Sequence, residues 1–530
     1  MEKGELLYNG IRLPEEWPPR HPEAFFEKRE NPAPPYLNKK PEIITMGRGR
    51  ELFVDDFLIR SSTCKRKFHY PEKYEGNPIL KPEMPWEVSP LNGSSCACPK
   101  SGGLWYDYEK KLYRLWYEGG WCNTVCCAES RDGIHWERPE YDVFPGTNRV
   151  LPYGIRSDSW TVVHDYYTEN EAERFKLFLM EPCWIVRGLC MTSPDGIHWS
   201  RPVSSGLAGD RSTMFYNPFR KKWCFSLRAY FAGRRMRNYA EGDDFFSAAA
   251  WGQEPGENHE SKAVHWTGPD RFDPRHKATP DIEPQLYNLD AVPYESIMLG
   301  FFQLHYGPNN DVGERTGIPK ITELEFAYSR DGFHWSRPDR NCAIRCGEEN
   351  SWERGYVQSL GNLCTVDEEK INFYYIGFAG DENSGRKSGM YHRGSTGMAT
   401  LRRDGFVSMD AGKEGGEILT EKVTFKGANL FVNVDAPHGS LRVELLDEKG
   451  EKIPGFSKED CLPVSVDTAK VEVKWKNAPS LAALAGKVVQ FRFLLENGSL
   501  YAFWVSPDAS GKSHGFVAGG GPCYHGPIDD

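Results

Sequence analysis

Carboxylate side chains recur at matched positions in this chain, shortly before a polar turn that joins two aromatic-rich stretches. Asp158 precedes the turn in HDYYTENEAERFKLFLM, and Asp210 precedes the turn in FYNPFRKKWCFSLR. Glu353 holds a comparable place in SWERGYVQSLG. Two carboxyl groups in one pocket can divide acid–base work, because one donates a proton to a leaving oxygen while the other attacks or activates water. Proximity separates their pKa values and so assigns the roles.

The predicted catalytic residues are therefore Asp158, Asp210 and Glu353. Other residues lie near them or in the corresponding segments of the other repeats. Their side chains could stack on a sugar ring or bind its hydroxyl groups. The predicted substrate-binding residues are Asp290, Glu87, Trp86, Trp160, Arg211, Tyr287, Asn288, His305 and Arg354. The arginine-rich stretch 228–238, RAYFAGRRMRN, is expected at the mouth of the same pocket.

A repeated hairpin indicates how these residues are brought together. The pattern Ser-x-Asp-Gly-x-x-Trp-x-Arg-Pro occurs around Asp132, Asp195 and Asp331, and worn copies surround Asp244 and Asp404. Asp-Gly between apolar residues favours a tight turn, because Gly accepts a positive φ and Asp caps the turn. Five units at intervals of roughly 50 to 90 residues are typical of a radial array of four-stranded sheets.

Strand patterns support an all-β fold, a five-bladed β-propeller followed by a C-terminal β-sandwich. Five segments share the form strand, polar turn, aromatic strand: 104–119, 164–180, 215–228, 291–302 and 364–378. The predicted domains are an extended arm over 1–48, the propeller over 49–406, the sandwich over 407–509 and a tail over 510–530. Inner strands of a propeller converge on its axis, so acids distant in sequence would share one funnel.

Composition narrows the classes of partner. The net charge of −10 and the pI near 5.9 argue against nucleic acid and anionic membranes. No apolar run is long enough to span a bilayer, and the N-terminus lacks a signal-peptide pattern, so we expect a cytoplasmic protein. The 14 cysteines include no paired CxxC motif and fall in apolar runs, which favours reduced buried thiols, with neither metal nor cofactor.

The motifs AESRDGIHWERP and NPILKPEMPWE resemble the invertase-like and arabinanase-like glycoside hydrolases of families 32 and 43. A closer resemblance, carried by LFVDDFLI, the DGIHW hairpins and RRDGFVSMDAGKEGG, covers nearly the whole chain. It is to bacterial proteins assigned to the glycoside hydrolases by sequence alone. The resemblance implies the fold strongly and the substrate hardly at all.

The characterised families place a nucleophile or base on blade one, a stabilising Asp on blade two and a general acid on blade three. The resemblance thus implies the stabilising role for Asp158 and the acid role for Asp210, where those families use Glu. Blade one of this chain has no counterpart to the nucleophile or base of those families, because LNGSSCACPKSG contains no acidic residue. The ionised partner is then expected among Glu353, Asp290 and Glu87.

The favoured function is a glycoside hydrolase that acts on the terminal sugar of an oligosaccharide, conceivably a furanoside. A sialidase would share the Ser-x-Asp hairpins but has a residue between Asp and Gly. An inverting glycoside phosphorylase would suit the arginine-rich stretch with His305. A carbohydrate-binding propeller without catalysis would suit the missing blade-one acid. The sugar, the linkage, the stereochemical outcome and the oligomeric state stay open.

Overall fold

The computed structural model describes residues 4–30, 33–183, 185–252, 262–384, 389–478 and 480–530. The fold is all-β, as predicted, and the helices in these ranges are short. The α-helices are α1 (Glu23–Glu27), α2 (Pro35–Asn38), α3 (Phe245–Ala249) and α4 (Asn310–Thr316). Single 3₁₀ turns cover Pro85–Glu87, Glu171–Glu173, Gly389–Tyr391 and Ala482–Leu484. Within the described ranges, no helix has the length and apolar character needed to cross a membrane.

The strands fall into three groups along the chain. The N-terminal strands are β1 (Ile44–Thr45), β2 (Glu51–Leu52), β3 (Ile59–Ser62), β4 (Lys65–Phe68) and β5 (Glu72–Lys73). The central strands are β6 (Ala97–Asp107), β7 (Leu112–Gly119), β8 (Thr124–Ser130), β9 (Ser159–His164), β10 (Phe175–Met180), β11 (Ile185–Ser193), β12 (Val203–Gly209), β13 (Thr213–Asn217), β14 (Lys222–Phe231), β15 (Arg234–Gly242), β16 (Val264–Thr267), β17 (Gln285–Glu295), β18 (Ile297–Gly307), β19 (Ile321–Ser329), β20 (Gly355–Val366), β21 (Lys370–Phe378) and β22 (Gly394–Arg402). The C-terminal strands are β23 (Val407–Ala411), β24 (Gly416–Thr420), β25 (Val423–Thr424), β26 (Asn429–Asp435), β27 (Ser440–Asp447), β28 (Asp467–Val473), β29 (Val489–Glu496), β30 (Gly498–Ser506) and β31 (Phe516–Val517).

The central strands form five antiparallel sheets, each a meander in chain order. These sheets are β6–β7–β8, β9–β10–β11–β12, β13–β14–β15–β16, β17–β18–β19 with β31 added to β17, and β20–β21–β22 with β5 added to β22. The first strands of neighbouring sheets pack on one another in the sequence β6, β9, β13, β17, β20 and back to β6. The five sheets therefore close a ring around one axis, and each ring-lining strand is the first of its sheet.

The repeated hairpin marks the same place in every sheet of this ring. Asp132, Asp195 and Asp331 follow the third strand of their sheets, and Asp244 and Asp404 do so in the other two. In the three intact copies the Asp carboxylate accepts backbone N–H groups two and three residues on. The Gly that follows has φ between 74 and 79°, where a side chain would be strained. The repeat thus reflects one turn that the ring needs at each third strand.

Two six-stranded sheets lie outside the ring and share one apolar core. One contains β1, β25, β29, β24, β3 and β27, and the other contains β28, β26, β30, β23, β4 and β2. Strands on either side of the ring in sequence therefore meet in the same pair of sheets. Buried Phe53 and Phe57 from the N-terminal side join this core.

The strand pairing differs from the expected domain bounds at both ends of the chain. Strands β2, β3 and β4 belong to the two six-stranded sheets, although residues from 49 onward were expected in the propeller. Strand β1 of the expected arm pairs with β25, and β31 of the expected tail pairs with β17 in the ring. Phe516 and Val517 of the expected tail are buried, so this segment is packed against the rest of the fold.

A buried ionic network joins the ring to the other two sheets. Glu295 at the end of β17 pairs with Arg403 and with Arg50. Arg50 also binds Asp404 at 2.8 Å, and the Tyr294 hydroxyl donates to Asp404 at 2.6 Å. The charged side chains of this network are 4% exposed or less. Removal of one partner would leave an uncompensated buried charge.

Candidate active site

Backbone in the left-handed region occurs where several ring-lining strands begin. Lys100 and Ser101 in β6 have φ of 46° and 64°, and the register of β6 on β7 shifts between Cys98 and Gly103. Arg211 before β13 and Tyr356 in β20 have φ of 59° and 58°. Such conformations are strained for residues with side chains and concentrate at functional sites. Here the irregular backbone redirects Lys100 and Arg211 toward the axis of the ring.

Asp158 lies directly before β9 and is held by a buried lysine. Lys100 Nζ lies 3.3 Å from Asp158 Oδ1 and 3.1 Å from Glu118 Oε2, and 3.6 Å above the Trp121 ring. Burial by itself lowers the pKa of Lys100, but Cys122, Glu118 and Asp158 raise it overall. Lys100 is therefore a cation paired with Asp158, whose side chain is 15% exposed.

Glu118 forms the buried side of this cluster. Burial raises its pKa to about 7 even though Lys100 opposes the shift. One Glu118 carboxylate oxygen and the Sγ atoms of Cys96 and Cys98 could meet around a metal ion, since these three atoms lie within 4.8 Å of one another. Burial raises the pKa of Cys96 well above its usual value, so the thiolate that a metal requires is disfavoured. The Lys100 ammonium beside Glu118 would also repel a cation there.

Asp210 lies before β13 between two arginines. Its carboxylate pairs with Arg228 and lies 3.9 Å from Arg235, which also donates to the Asp210 carbonyl at 3.3 Å. Burial and the charge of Arg235 lower the pKa of Arg228 to about 10, and the charge of Asp158 opposes that shift. Asp158 and Asp210 therefore act on the same arginine. The two guanidinium groups of Arg228 and Arg235 lie beside the carboxylate that is expected to be the general acid.

Tyr287 in β17 has a ring that also lies beside Arg235. Its hydroxyl is 2.6 Å from that of Tyr356, Arg235 lies 3.9 Å from its ring centroid, and Lys320 lies 5.6 Å from it. The His305 ring is also adjacent, with centroids 5.6 Å apart. Burial would raise the pKa of Tyr287, but Lys320, Arg235 and the Tyr356 hydroxyl lower it to about 8. Such a shift at a cleft is typical of a functional residue.

Asp290 occupies the axis below this cluster. It accepts hydrogen bonds from Ser101 at 2.9 Å, Ser359 at 2.7 Å and the Asn288 amide at 2.9 Å. Arg211 in turn donates to the Ser101 hydroxyl at 3.0 Å. Burial raises the pKa of Asp290, and its side chain is inaccessible to a substrate. Asp290, Asn288 and Arg211 therefore tie ring-lining strands together beneath the site.

The structure does not bring Glu353 and Arg354 to the groups around Asp158, Asp210 and Tyr287. Glu353 binds Lys73 Nζ at 2.8 Å, and Lys73 lies on the outermost strand of that sheet. Its carboxylate therefore turns away from the axis. Arg354 pairs with Glu382, on the surface side of the same sheet. Glu353 precedes a ring-lining strand as expected, but its counter-ion lies on the opposite edge of the sheet.

Glu87, Trp86 and Trp160 likewise lie in supporting positions. Glu87 is fully buried and binds Arg138 at 2.7 Å, so it is a structural ion pair. The Trp86 indole donates to Asn148 at 2.9 Å. Trp160 is fully buried in the core between sheets. None of these contacts orients the three side chains toward Asp158, so their expected role in substrate binding has no geometric support.

The sequence reasoning missed Lys100, Glu118 and Lys320. Lys100 and Glu118 are charged residues within apolar strands, in SSCACPKSGG and YRLWYEGG, and that pattern was the available signal. Lys320 follows a loop directly before β19, and nothing in its local sequence distinguishes it from a surface lysine. Of the expected residues, Asp158 contacts Lys100, and Asp210 and Tyr287 both lie beside Arg235. Arg211 and His305 lie beside Ser101 and Tyr287, respectively.

A scan against protein-family models finds no match, and a search of curated proteins finds none either. Among solved structures, the chain is similar to an N-acetylgalactosamine deacetylase from F. plautii (14% identity, TM-score 0.41, covering 66% of this chain and 96% of that one). It is also similar to a family 32 β-fructofuranosidase from Bombyx mori (11%, 0.34, 81% and 94%). A third is β-1,2-mannobiose phosphorylase from Listeria innocua (12%, 0.38, 62% and 96%).

Family 32 is thus among the structural neighbours. At these identities and TM-scores the likeness assigns neither reaction nor substrate, so function is inferred below from the residues of the site itself.

Proposed function

We propose that this chain is a carbohydrate-active enzyme, a glycoside hydrolase whose active site is the funnel at the axis of a five-bladed β-propeller. The closed ring of five meandering sheets supports the propeller, and the two six-stranded sheets support a β-sandwich beside it. Ligand sites at the axis of such rings receive side chains from the starts of several inner strands.

The observation that carries the proposal is that Asp158 and Asp210 lie before neighbouring ring-lining strands, each beside its own cations, and act on the same arginine. Their side chains are 15% and 23% exposed, so both can reach a bound molecule. Asp158, paired with Lys100, would serve as a nucleophile, a base or a stabiliser of positive charge at the anomeric carbon. A substrate sugar would occupy the space between the two carboxylates.

The proton for the leaving group requires a different residue. Tyr287 holds its proton at neutral pH and loses it at about pH 8, which suits a group that transfers a proton near neutrality. The Tyr356 hydroxyl at 2.6 Å would donate a hydrogen bond to the tyrosinate so formed, and water that enters after product release would return the proton. We propose Tyr287 as the proton donor, with Asp158 and Asp210 as the ionised groups.

A panel of aryl furanosides and pyranosides, with anomer-resolved detection of products, tests the proposal. Asp158→Asn should lower turnover of the best substrate at least 10²-fold without loss of folding, because the cavity loses an ionised carboxylate. Asp243→Asn, an exposed residue 85% accessible and paired only with Lys222, is the matched control. Binding of glycans without turnover of any glycoside would instead support a carbohydrate-binding propeller.

The density of cations favours a glycoside phosphorylase as a second candidate. Arg228, Arg235 and Lys320 lie around Asp210 and Tyr287, and a phosphate group would find several charged donors there. Phosphorolysis would form a sugar 1-phosphate, whereas hydrolysis forms the free sugar. Turnover that depends on added inorganic phosphate would select the phosphorylase.

A further inference from the structure

Lys320 is a buried lysine whose surroundings are cationic and aromatic. It is 5% exposed, and within the described residues no carboxylate lies within salt-bridge distance of its ammonium group. Its contacts are instead with the rings of Tyr287 and Tyr356, at 5.6 and 5.5 Å. Burial and the nearby charge of Arg235 lower the pKa of Lys320, while the charges of Glu314 and Asp158 oppose that shift from beyond salt-bridge distance. Buried charges are normally paired directly, and among the described residues Lys320 has no such direct partner.

Two further polar groups beside Lys320 have unused hydrogen-bonding atoms. His305 is 6% exposed, and its Nε2 atom is buried without a hydrogen-bond partner. Arg235 is 5% exposed, and its Nε atom is likewise buried and unpartnered. Both side chains adjoin the Tyr287 ring, at 5.6 and 3.9 Å from its centroid. Most buried polar atoms in proteins are hydrogen-bonded, so two orphaned atoms beside an unpaired lysine require an explanation.

We propose that Lys320, Arg235 and His305 form a subsite for an oxyanion above the Tyr287 ring. One group with several acceptor oxygens and a negative charge would pair with Lys320 and could accept from Arg235 Nε, and a protonated oxygen of that group could donate to His305 Nε2. A carboxylate or a phosphate has this chemistry, and arginine is suited to both. A neutral hydroxyl would leave the lysine charge without a partner.

The oxyanion could come from free phosphate or from an acidic sugar such as a hexuronate. The inference rests on the proposed function, since it places a charged group of the substrate or co-substrate beside Asp158 and Asp210. It also narrows that function, because the enzyme would prefer an acidic glycoside or would require phosphate. Asp210 stays outside the subsite proper, because Arg228 already engages its carboxylate.

Calorimetric titration of the full chain with inorganic phosphate, with a hexuronate and with the neutral hexose, all at one ionic strength, tests the inference. We expect saturable one-to-one binding of one of the two anions and at least tenfold weaker binding of the neutral sugar. Lys320→Met should weaken that anion at least tenfold. This variant should fold, because an apolar side chain of similar length replaces a buried charge that has no counter-ion.

Lys110→Met is the control, since Lys110 is 53% exposed and pairs only with Glu129 at 3.6 Å. His305→Gln gives a second reading, because it removes the unpartnered ring atom without change of charge, and it should also weaken the anion. The inference is overturned if neither anion saturates, or if Lys320→Met binds as the unaltered chain does. Turnover of neutral glycosides without anion binding would refute the subsite and leave the hydrolase standing. Saturable anion binding that Lys320→Met weakens, without turnover of any glycoside, would refute the hydrolase and leave the subsite standing.

Discussion

Replacement of Asp210 by Asn tests how the two arginines act on the site. Arg228 and Arg235 have side chains that are 3% and 6% exposed, and Asp210 is the carboxylate beside both. Breaking a buried ion pair costs about 3–5 kcal/mol of stability. Asp210 itself is 23% exposed and Asn retains an acceptor, so we expect solvent screening to reduce the loss to about 2 kcal/mol, below that range. Chemical denaturation of the variant measures it.

The same variant decides which chemical role Asp210 has. If the arginines keep Asp210 ionised, Asp210→Asn should lower kcat by about 10²-fold on aryl glycosides with good and with poor leaving groups alike. A general acid would behave differently, because a good leaving group needs no proton. Steady-state kinetics on a pair such as a nitrophenyl and an unsubstituted phenyl glycoside separates the two cases. A loss confined to the poor leaving group would refute our reading and restore the acid role to Asp210.

Three other perturbations follow from buried charges. Tyr287→Phe should abolish the decline of kcat that we expect above about pH 8, because the unaltered Tyr287 loses its proton there; an unchanged decline in the variant would exclude Tyr287 as its source. Burial, Lys320 and Arg235 lower the pKa of His305 to about 3, so its contribution to stability is present above pH 6.5 and is lost as the pH falls toward 3. Between pH 7 and 5 the unaltered chain should thus lose about 2 kcal/mol more than His305→Gln in chemical denaturation, and parallel losses would contradict this. Arg403→Met should destabilise the chain by about 3 kcal/mol or more through unpaired Glu295, and an unshifted denaturation midpoint would show that Arg50 compensates alone.

Much of the ring could be predicted because its repeat is local. The Asp-Gly turn with its following Trp is encoded within ten neighbouring residues, and the structure places each copy after the third strand of a sheet. Asp158 and Asp210 could be placed near ring-lining strands for the same reason, since Asp158 directly precedes β9 and Asp210 comes three residues before the start of β13. Tyr287 and His305 lie on the first two strands of one sheet. The position of a residue within a repeat can therefore be predicted from a single sequence.

The errors arose where a distant segment decides the direction of a side chain. Glu353 stands before a ring-lining strand, but Lys73 reaches it from β5, a short N-terminal strand that joins the last sheet at its outer edge. Glu87 similarly forms an ion pair with Arg138. Lys100 was missed because two consecutive residues of β6 adopt positive φ, and no local pattern announces that irregularity. Pairing across hundreds of residues cannot be read from the segments themselves.

Net charge gives a further example of the difference between sequence and fold. The chain carries a charge of −10, which argues against large polyanions such as nucleic acid. Yet the fold gathers Lys100, Arg228, Arg235 and Lys320 around the two candidate acids, where burial strengthens every charge. A large polyanion would meet repulsion from the acidic exterior, while a small anion that reaches these groups would meet several cations at short range. The subsite that we propose would therefore favour a single charged sugar or a phosphate ion over a polymer of either.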